Sequence, residues 1–278
     1  MAHALERGID FFDDARYDDE TGRAPIPTGY SEVLFGELFR ATGAPRDRVC
    51  VSNKLWWEFW PGQTAIQELE GSLQRMGFDR LELLYSSTLP DEVPVPVAIE
   101  QIATVLASGR VDAWGVVNWG AEALAAGTRE AVRLGIPAPC AVQLPYSLAR
   151  LEVVESPPMT AALQSAGASL VPSAVLAGGA LTGKYADAKA APAGRLSAEL
   201  RGERSRPALR IGEALLELSK QLECAPATLA VAFTLVNPLT ASTLVGATTP
   251  TQIDQSVAAI ELADRLTGEQ LNQLRALA

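Results

Sequence analysis

The chain has 278 residues, 48% of them hydrophobic and 20% charged, which suits a folded globular protein and argues against a disordered one. With 23 Lys and Arg against 33 Asp and Glu the formal charge is −10, which disfavours a nucleic-acid or anionic-membrane partner, and no apolar run approaches the roughly 20 residues of a membrane span. The single histidine, His3, excludes most chemistry built on a histidine base or on several histidine metal ligands.

The opening MAHALERG reads as the tail of a helix stopped by Gly8, without the basic start and apolar core of a signal peptide. Residues 9–12 form the first strand-like run, followed by a helical segment over 31–42 and a strand over 49–52. Ile66, Leu69, Leu73 and Met76 recur at helical spacing ahead of Gly77, a C-cap, and a strand over 81–85 follows. Ile99, Ile102 and Leu106 repeat the helical pattern before Gly109. The chain continues with a strand over 111–117, a helix over 121–134, a strand over 141–144, a helix over 159–165 and a strand over 169–171. Helices over 208–222 and 226–236, a strand over 243–245 and helices over 251–260 and 267–277 complete it, the last opened by Thr267 with Gln270 at the third position.

This alternation predicts an α/β fold with a parallel sheet and helical crossovers, and apolar strands without alternation suit a sheet covered on both faces. Seven strands plus one before residue 1 would make a (β/α)8 barrel, one domain over residues 1–278. A doubly wound sheet is the alternative, but no GxGxxG follows any strand. A barrel carries its site at the C-terminal ends of the strands. Two long loops, 18–29 and 185–207, would leave that face.

FFDD (residues 11–14) and SNK (52–54) end the first two strand-like runs. Asp13 and Lys54 there form either a structural ion pair or a pair that shifts a neighbour's pKa. Trp56, Trp57, Phe59 and Trp60 follow, with Trp119 on a later strand end. They read as the wall of a pocket for a flat or apolar carbonyl compound, or as packing beneath loop 18–29. Cys50, Cys140 and Cys224 form no CxxC and read as thiols in a reducing cytoplasm. The acidic residues show no metal-ligand spacing.

GIDFFDDA (8–15), GYSEVLFG (29–36), VSNK (51–54), RMGFDRLELLY (75–85), GRVDAWGVVNW (109–119), QLPYSL (143–148), LAGGALTGKY (176–185) and VGATTPTQI (245–253) occur in this order. Together they resemble the aldo-keto reductases over nearly the whole chain. The resemblance implies a (β/α)8 barrel that binds NADPH, here lacking the first strand, so that the chain is truncated, starts upstream, or covers the open edge another way. It also implies hydride transfer to an aldehyde or ketone. In that family a tyrosine protonates the developing alkoxide, a lysine paired to an aspartate lowers the tyrosine's pKa, and a histidine helps position the carbonyl.

Carried over by position, the aspartate is Asp13 and the lysine is Lys54. The tyrosine's place holds Asp18, so Tyr17, one position early, substitutes by a local shift or is an ordinary loop aromatic, and Tyr30 is a second candidate. The histidine's place holds Thr88, which donates a hydrogen bond but does not protonate a substrate at pH 7. Asn118 and Gln143 match the carboxamide ligands, and Ser173 replaces the aromatic that stacks on the nicotinamide. The stretch with Leu176 and Gly178 keeps the pyrophosphate loop, and Gly246 and Gln252 lie near the adenine end. The basic residue used for the 2′-phosphate falls among Thr248 and Thr249, which weakens selectivity for NADPH and leaves NADH as an alternative. Loop residues Arg195, Arg201, Arg204 and Arg206 either supply that charge or are solvated.

Three functions compete. The first is an NADP-dependent, cytoplasmic reductase of a small-molecule carbonyl with an altered tetrad. The second is a non-redox barrel enzyme using Lys54 as a Schiff-base or acid–base residue. The third is a non-catalytic, cofactor-sensing or degenerate member.

Overall fold

The computed structural model describes residues 1–185 and 206–278, which divide into two compact units, residues 1–142 with 161–168, and 143–160 with 169–278. The fold is α/β. Its six strands follow one another in chain order in the sheet, and β5 spans the boundary between the units.

The first unit opens with α1 (Ala2–Glu6) and β1 (Phe11–Asp13), followed by α2 (Tyr30–Thr42), a 3-10 turn over Arg46–Arg48 and β2 (Cys50–Leu55). It continues through α3 (Ala65–Met76), β3 (Leu81–Ser86), α4 (Val95–Ala107), β4 (Val111–Val117), α5 (Ala121–Leu134) and the start of β5 (Ala141–Pro145). β1 to β4 pair in parallel, with Asp13 opposite Ser52 and Lys54 opposite Tyr85. Strand residues alternate between the two faces of a sheet. Val51 and Leu55 of β2 therefore join a buried apolar core with Leu69, Leu73 and Met76 of α3, while Ser52 and Lys54 occupy the opposite face with Asp13. Phe39 and Phe78 meet edge to face in that core, with ring centroids 5.6 Å apart.

Local signals set the helix ends. Thr64 and Gln67 form a reciprocal capping box ahead of α3, and Gly77 closes it in the left-handed conformation. Gly36 lets α2 approach α3, because a Cβ there would collide with the backbone carbonyl of Met76.

The second unit contains α6 (Glu152–Glu155), most of the residues that lead into α7 (Pro157–Ala166), β6 (Ser169–Ser173) and a 3-10 stretch over Ala177–Thr182. α8 (Arg206–Gln221), α9 (Pro226–Leu235), α10 (Pro250–Arg265) and α11 (Gly268–Arg275) follow. The box of Thr267 and Gln270 opens α11 as its sequence indicates. α9 is apolar on all sides and buried over residues 228–234, with Phe233 against Tyr146 at 5.8 Å.

The strand expected over 243–245 does not form, so the described residues hold six strands and not seven. Pairing with β6 begins: Leu170 N donates to Leu239 O (2.7 Å) and Ala241 N to Leu170 O (3.0 Å). The next bond comes from Leu244 N to Pro172 O (2.9 Å), and Pro172 has no N–H with which to continue the ladder. Most of the loop expected over 185–207, with Arg195, Arg201 and Arg204, lies outside the described residues, and Arg206 begins α8.

Candidate active site

β1 and β2 deliver the central pair. β1 ends at Asp13, and the parallel register sets Ser52 beside it and Lys54 one step further on the same face. Ser52 Oγ donates to Asp13 Oδ1 (2.6 Å), and Lys54 Nζ donates to Asp13 Oδ2 (2.7 Å) and to the backbone carbonyl of Asp14 (3.0 Å). The lysine side chain is only 5% exposed. A buried ammonium held by one carboxylate and one carbonyl presents a fixed positive charge in a poorly screened setting, where it acts more strongly on a neighbour than it would in water.

Asp14 adds a second carboxyl. Burial pushes it from its ordinary 3.8 up to about 7, the nearby charge of Glu32 adds to the rise, and a bond from the Ala15 N–H opposes it. Its Oδ2 is shielded from solvent and makes no hydrogen bond among the described residues. Asp14 thus holds a proton through much of the range below neutrality.

The aromatic residues after Lys54 separate into two groups. Trp57 is 3% exposed and donates its indole N–H to Ser86 Oγ (2.9 Å), and Trp119 is 2% exposed and donates to the Ser87 carbonyl (2.6 Å). Both lie within the protein interior. Trp57 has a left-handed backbone (φ 65°), a strained state for a bulky residue. Glu68 steadies that turn, accepting from Trp56 N (2.8 Å) and Trp57 N (3.3 Å). Burial raises the Glu68 carboxyl and these bonds oppose it. Trp56 is half-buried and its ring lies 6.0 Å from that of Tyr17, which is 57% exposed. Arg16 ties the neighbouring segments together, pairing with Glu58 (2.6 Å), donating to Thr28 Oγ1 (3.1 Å) and lying over the exposed Phe59 ring. Tyr30, the second tyrosine candidate, is the first residue of α2.

Thr88, just beyond β3, donates its hydroxyl to the Asn118 carbonyl (3.1 Å), and Asn118 is exposed at the end of β4 with φ 61°. In the second unit Gln143 is a buried residue of β5, and Ser173 ends β6, its carbonyl accepting from Tyr146 N (3.1 Å). Leu176 precedes the 3-10 stretch, in which Ala177, Gly178 and Gly179 all have positive φ. Two of the backbone donors of this run are engaged within the loop itself, Ala177 N with Ala174 O and Gly179 N with Leu176 O (both 2.8 Å). Gly246 is exposed. Gln252 Oε1 accepts from Thr248 N (2.7 Å) and Thr248 Oγ1 (3.2 Å), so its side chain closes the first turn of α10.

Residues 1–278 match the Aldo/keto reductase family. The chain belongs to that family. It is 28% identical to a rice protein described as a probable voltage-gated potassium channel subunit beta, over 98% of this chain and 84% of that protein. It is 25% identical to a Schizosaccharomyces pombe protein described as a putative voltage-gated potassium channel subunit beta (99% and 81% covered), and 24% identical to an Arabidopsis thaliana protein described as a probable one (97% and 83%).

Within this aldo/keto reductase the structure brings Asp13 and Lys54 together, Tyr17 beside Trp56, and Thr88 beside Asn118. No local sequence pattern marks Asp14, Glu32 or Glu68 as part of the site. A signal for Asn53 exists: it alternates with Val51 and Leu55, which puts a carboxamide on the apolar face of β2. Among the described residues no group of His, Cys, Asp and Glu could hold a metal ion, and no helix is long and apolar enough to cross a membrane.

Proposed function

We propose that the chain reduces an aldehyde or ketone with NADPH, NADH being the alternative donor, on the (β/α)8 barrel of its family. The observation that carries this reading is the buried Lys54 held 2.7 Å from Asp13 at the ends of adjacent parallel strands. When bound, the dihydronicotinamide supplies a hydride to the carbonyl carbon. The residues of the chain do the rest. Lys54 provides the positive field that favours charge developing on the carbonyl oxygen. Tyr17 delivers the proton to that oxygen, its exposed ring placed against Trp56, which forms one wall of the substrate pocket. Trp57 and Trp119 support the wall from beneath. Thr88 steers the carbonyl by exchanging its present bond to Asn118 for one to substrate.

The residues fit a dinucleotide unevenly. By the family resemblance the pyrophosphate would lie at Ala177, Gly178 and Gly179, with Leu176 at the entry and Lys184 just beyond; since Ala177 N and Gly179 N already donate within the loop, they would have to give up those bonds to hold it. By the family resemblance Asn118 of the first unit would serve the carboxamide, and in the second unit Gln143 and Ser173 would serve the nicotinamide and Gly246 and Gln252 the adenine. No basic side chain stands at positions 248 to 252, which supports weak discrimination of the 2′-phosphate. We place the protein in the cytoplasm, with a small-molecule carbonyl as its partner.

A second reading, a cofactor-sensing subunit without turnover, is favoured by the channel-subunit descriptions of the relatives and by Asp18 at the tyrosine's place. Titration of the intact chain with NADPH and NADH, followed by a panel of aromatic and aliphatic aldehydes, tests both. Binding with turnover supports the reductase, binding without turnover the sensor, and binding of neither nucleotide contradicts both.

A further inference from the structure

β1 ends at Asp13, so the register leaves the backbone N–H of Lys54 beyond the last partner on that strand. A buried N–H without an acceptor costs about 1–3 kcal/mol. Here the side chain of the preceding residue takes it: Lys54 N donates to Asn53 Oδ1 (2.6 Å). That bond requires the Asn53 amide to point its oxygen toward Lys54 and its NH2 group away. Asn53 Nδ2 donates to Glu32 Oε1 (2.8 Å), on α2, and Glu32 Oε2 accepts from Arg75 Nε (2.5 Å), on α3. Glu32 is 0% exposed, as is Asn53. Gly29, with φ 76°, makes room for this contact, since a Cβ there would collide with the Arg75 side chain.

We propose that Glu32 is a positioning residue for Lys54: its buried carboxylate fixes the orientation of the Asn53 amide, and that amide fixes the backbone of Lys54 where β1 no longer can. This rests on the reductase reading for its effect on turnover, but its structural part does not. The carboxylate suits the task because it has two acceptor oxygens for two donors on opposite sides. An amide of the same shape has one. In Glu32→Gln either Arg75 or Asn53 meets an NH2 group, and the rotation of Asn53 that relieves the second case turns its own NH2 toward Lys54 N. Arg75→Met breaks the same ion pair but leaves Glu32 Oε1 for Asn53, so it separates positioning from loss of the pair.

The test uses the full chain and two readouts. Amide hydrogen exchange by NMR reports the Lys54 N–H directly, with or without activity. In Glu32→Gln the Lys54 amide should exchange at least roughly tenfold faster while amides of β3 keep their protection; in Arg75→Met it should stay protected. NADPH affinity should stay within about twofold, and turnover of an aldehyde should fall about 10–100-fold in Glu32→Gln alone, since small misplacements of a catalytic group carry costs of that order. Adding Arg75→Met to Glu32→Gln frees the single amide oxygen for Asn53 and should restore Lys54 protection and turnover together. Unchanged Lys54 exchange in Glu32→Gln, equal loss in Arg75→Met, or no restoration in the double variant would overturn the proposal. If Glu32→Gln does not fold, the double variant carries the same exchange test against Arg75→Met. A parent chain that turns nothing over leaves the exchange result standing and removes only the reductase reading.

Discussion

Replacing Asp14 with asparagine should change how stability depends on pH. The folded chain holds this carboxyl at about 7 against an ordinary 3.8. Below the lower value the group is protonated in both states and contributes no pH dependence. Between the two values the unfolded chain releases the proton and the folded chain keeps it, so the group costs stability progressively as pH rises. Above about 7 both states are ionised and the cost levels off. The displacement corresponds to about 4 kcal/mol as an upper bound, and rotation of the side chain and water entry reduce this to about 2 kcal/mol. Asparagine removes the titration. Its Oδ1 keeps the bond from the Ala15 N–H, while its NH2 replaces the unpartnered Oδ2 at a cost of about 1 kcal/mol. Urea unfolding of both proteins from pH 4.5 to 8.5 measures the difference. The variant should be slightly less stable than the parent near pH 4.5 and about 1 kcal/mol more stable at pH 8.5. A stability difference that does not vary with pH would refute the reasoning.

Gly36→Ala should cost about 2–4 kcal/mol in the same unfolding assay, because its Cβ meets the Met76 carbonyl rather than a flexible side chain; a loss below about 0.5 kcal/mol would mean α2 can withdraw from α3 freely. Glu68→Gln leaves one acceptor for the two N–H groups of Trp56 and Trp57, and should cost about 1–3 kcal/mol with a changed tryptophan emission. Unaltered emission and stability would show that the left-handed Trp57 turn needs no carboxylate. Tyr17→Phe should lower turnover about 10²–10⁴-fold with little change in nucleotide affinity, and an unchanged rate would remove Tyr17 as the proton donor.

Local chemistry made much of the fold legible in the sequence. Val111–Val117 and Ala121–Leu134 fall where the apolar patterns place them, and Gly77 and the box of Thr267 and Gln270 mark helix ends that the structure also has. The pair of Asp13 and Lys54 was legible because both sit at ends of short apolar runs and adjacent parallel strands bring such ends together. Residues 243–245 misled because a strand needs a partner, and the proline that interrupts this one lies on β6, far away in sequence. Which tryptophan after Lys54 turns inward depends on Glu68 and Ser86, which no local pattern connects to them. Glu32 is hidden in the sequence for a similar reason: a charged residue early in a helix reads as solvated until Asn53 and Arg75 close over it.

In the function proposed above, Lys54, held by Asp13, serves carbonyl reduction. This role is tested most directly by comparing the parent chain with Lys54→Met for NADPH affinity by tryptophan fluorescence and for single-turnover oxidation of bound NADPH by an aldehyde. The parent should oxidise bound NADPH, and Lys54→Met should bind the nucleotide with an affinity within a few-fold of the parent while losing at least about 10²-fold in the rate of oxidation. Equal rates in the two proteins, or a parent that binds NADPH and reduces no carbonyl compound, would contradict it.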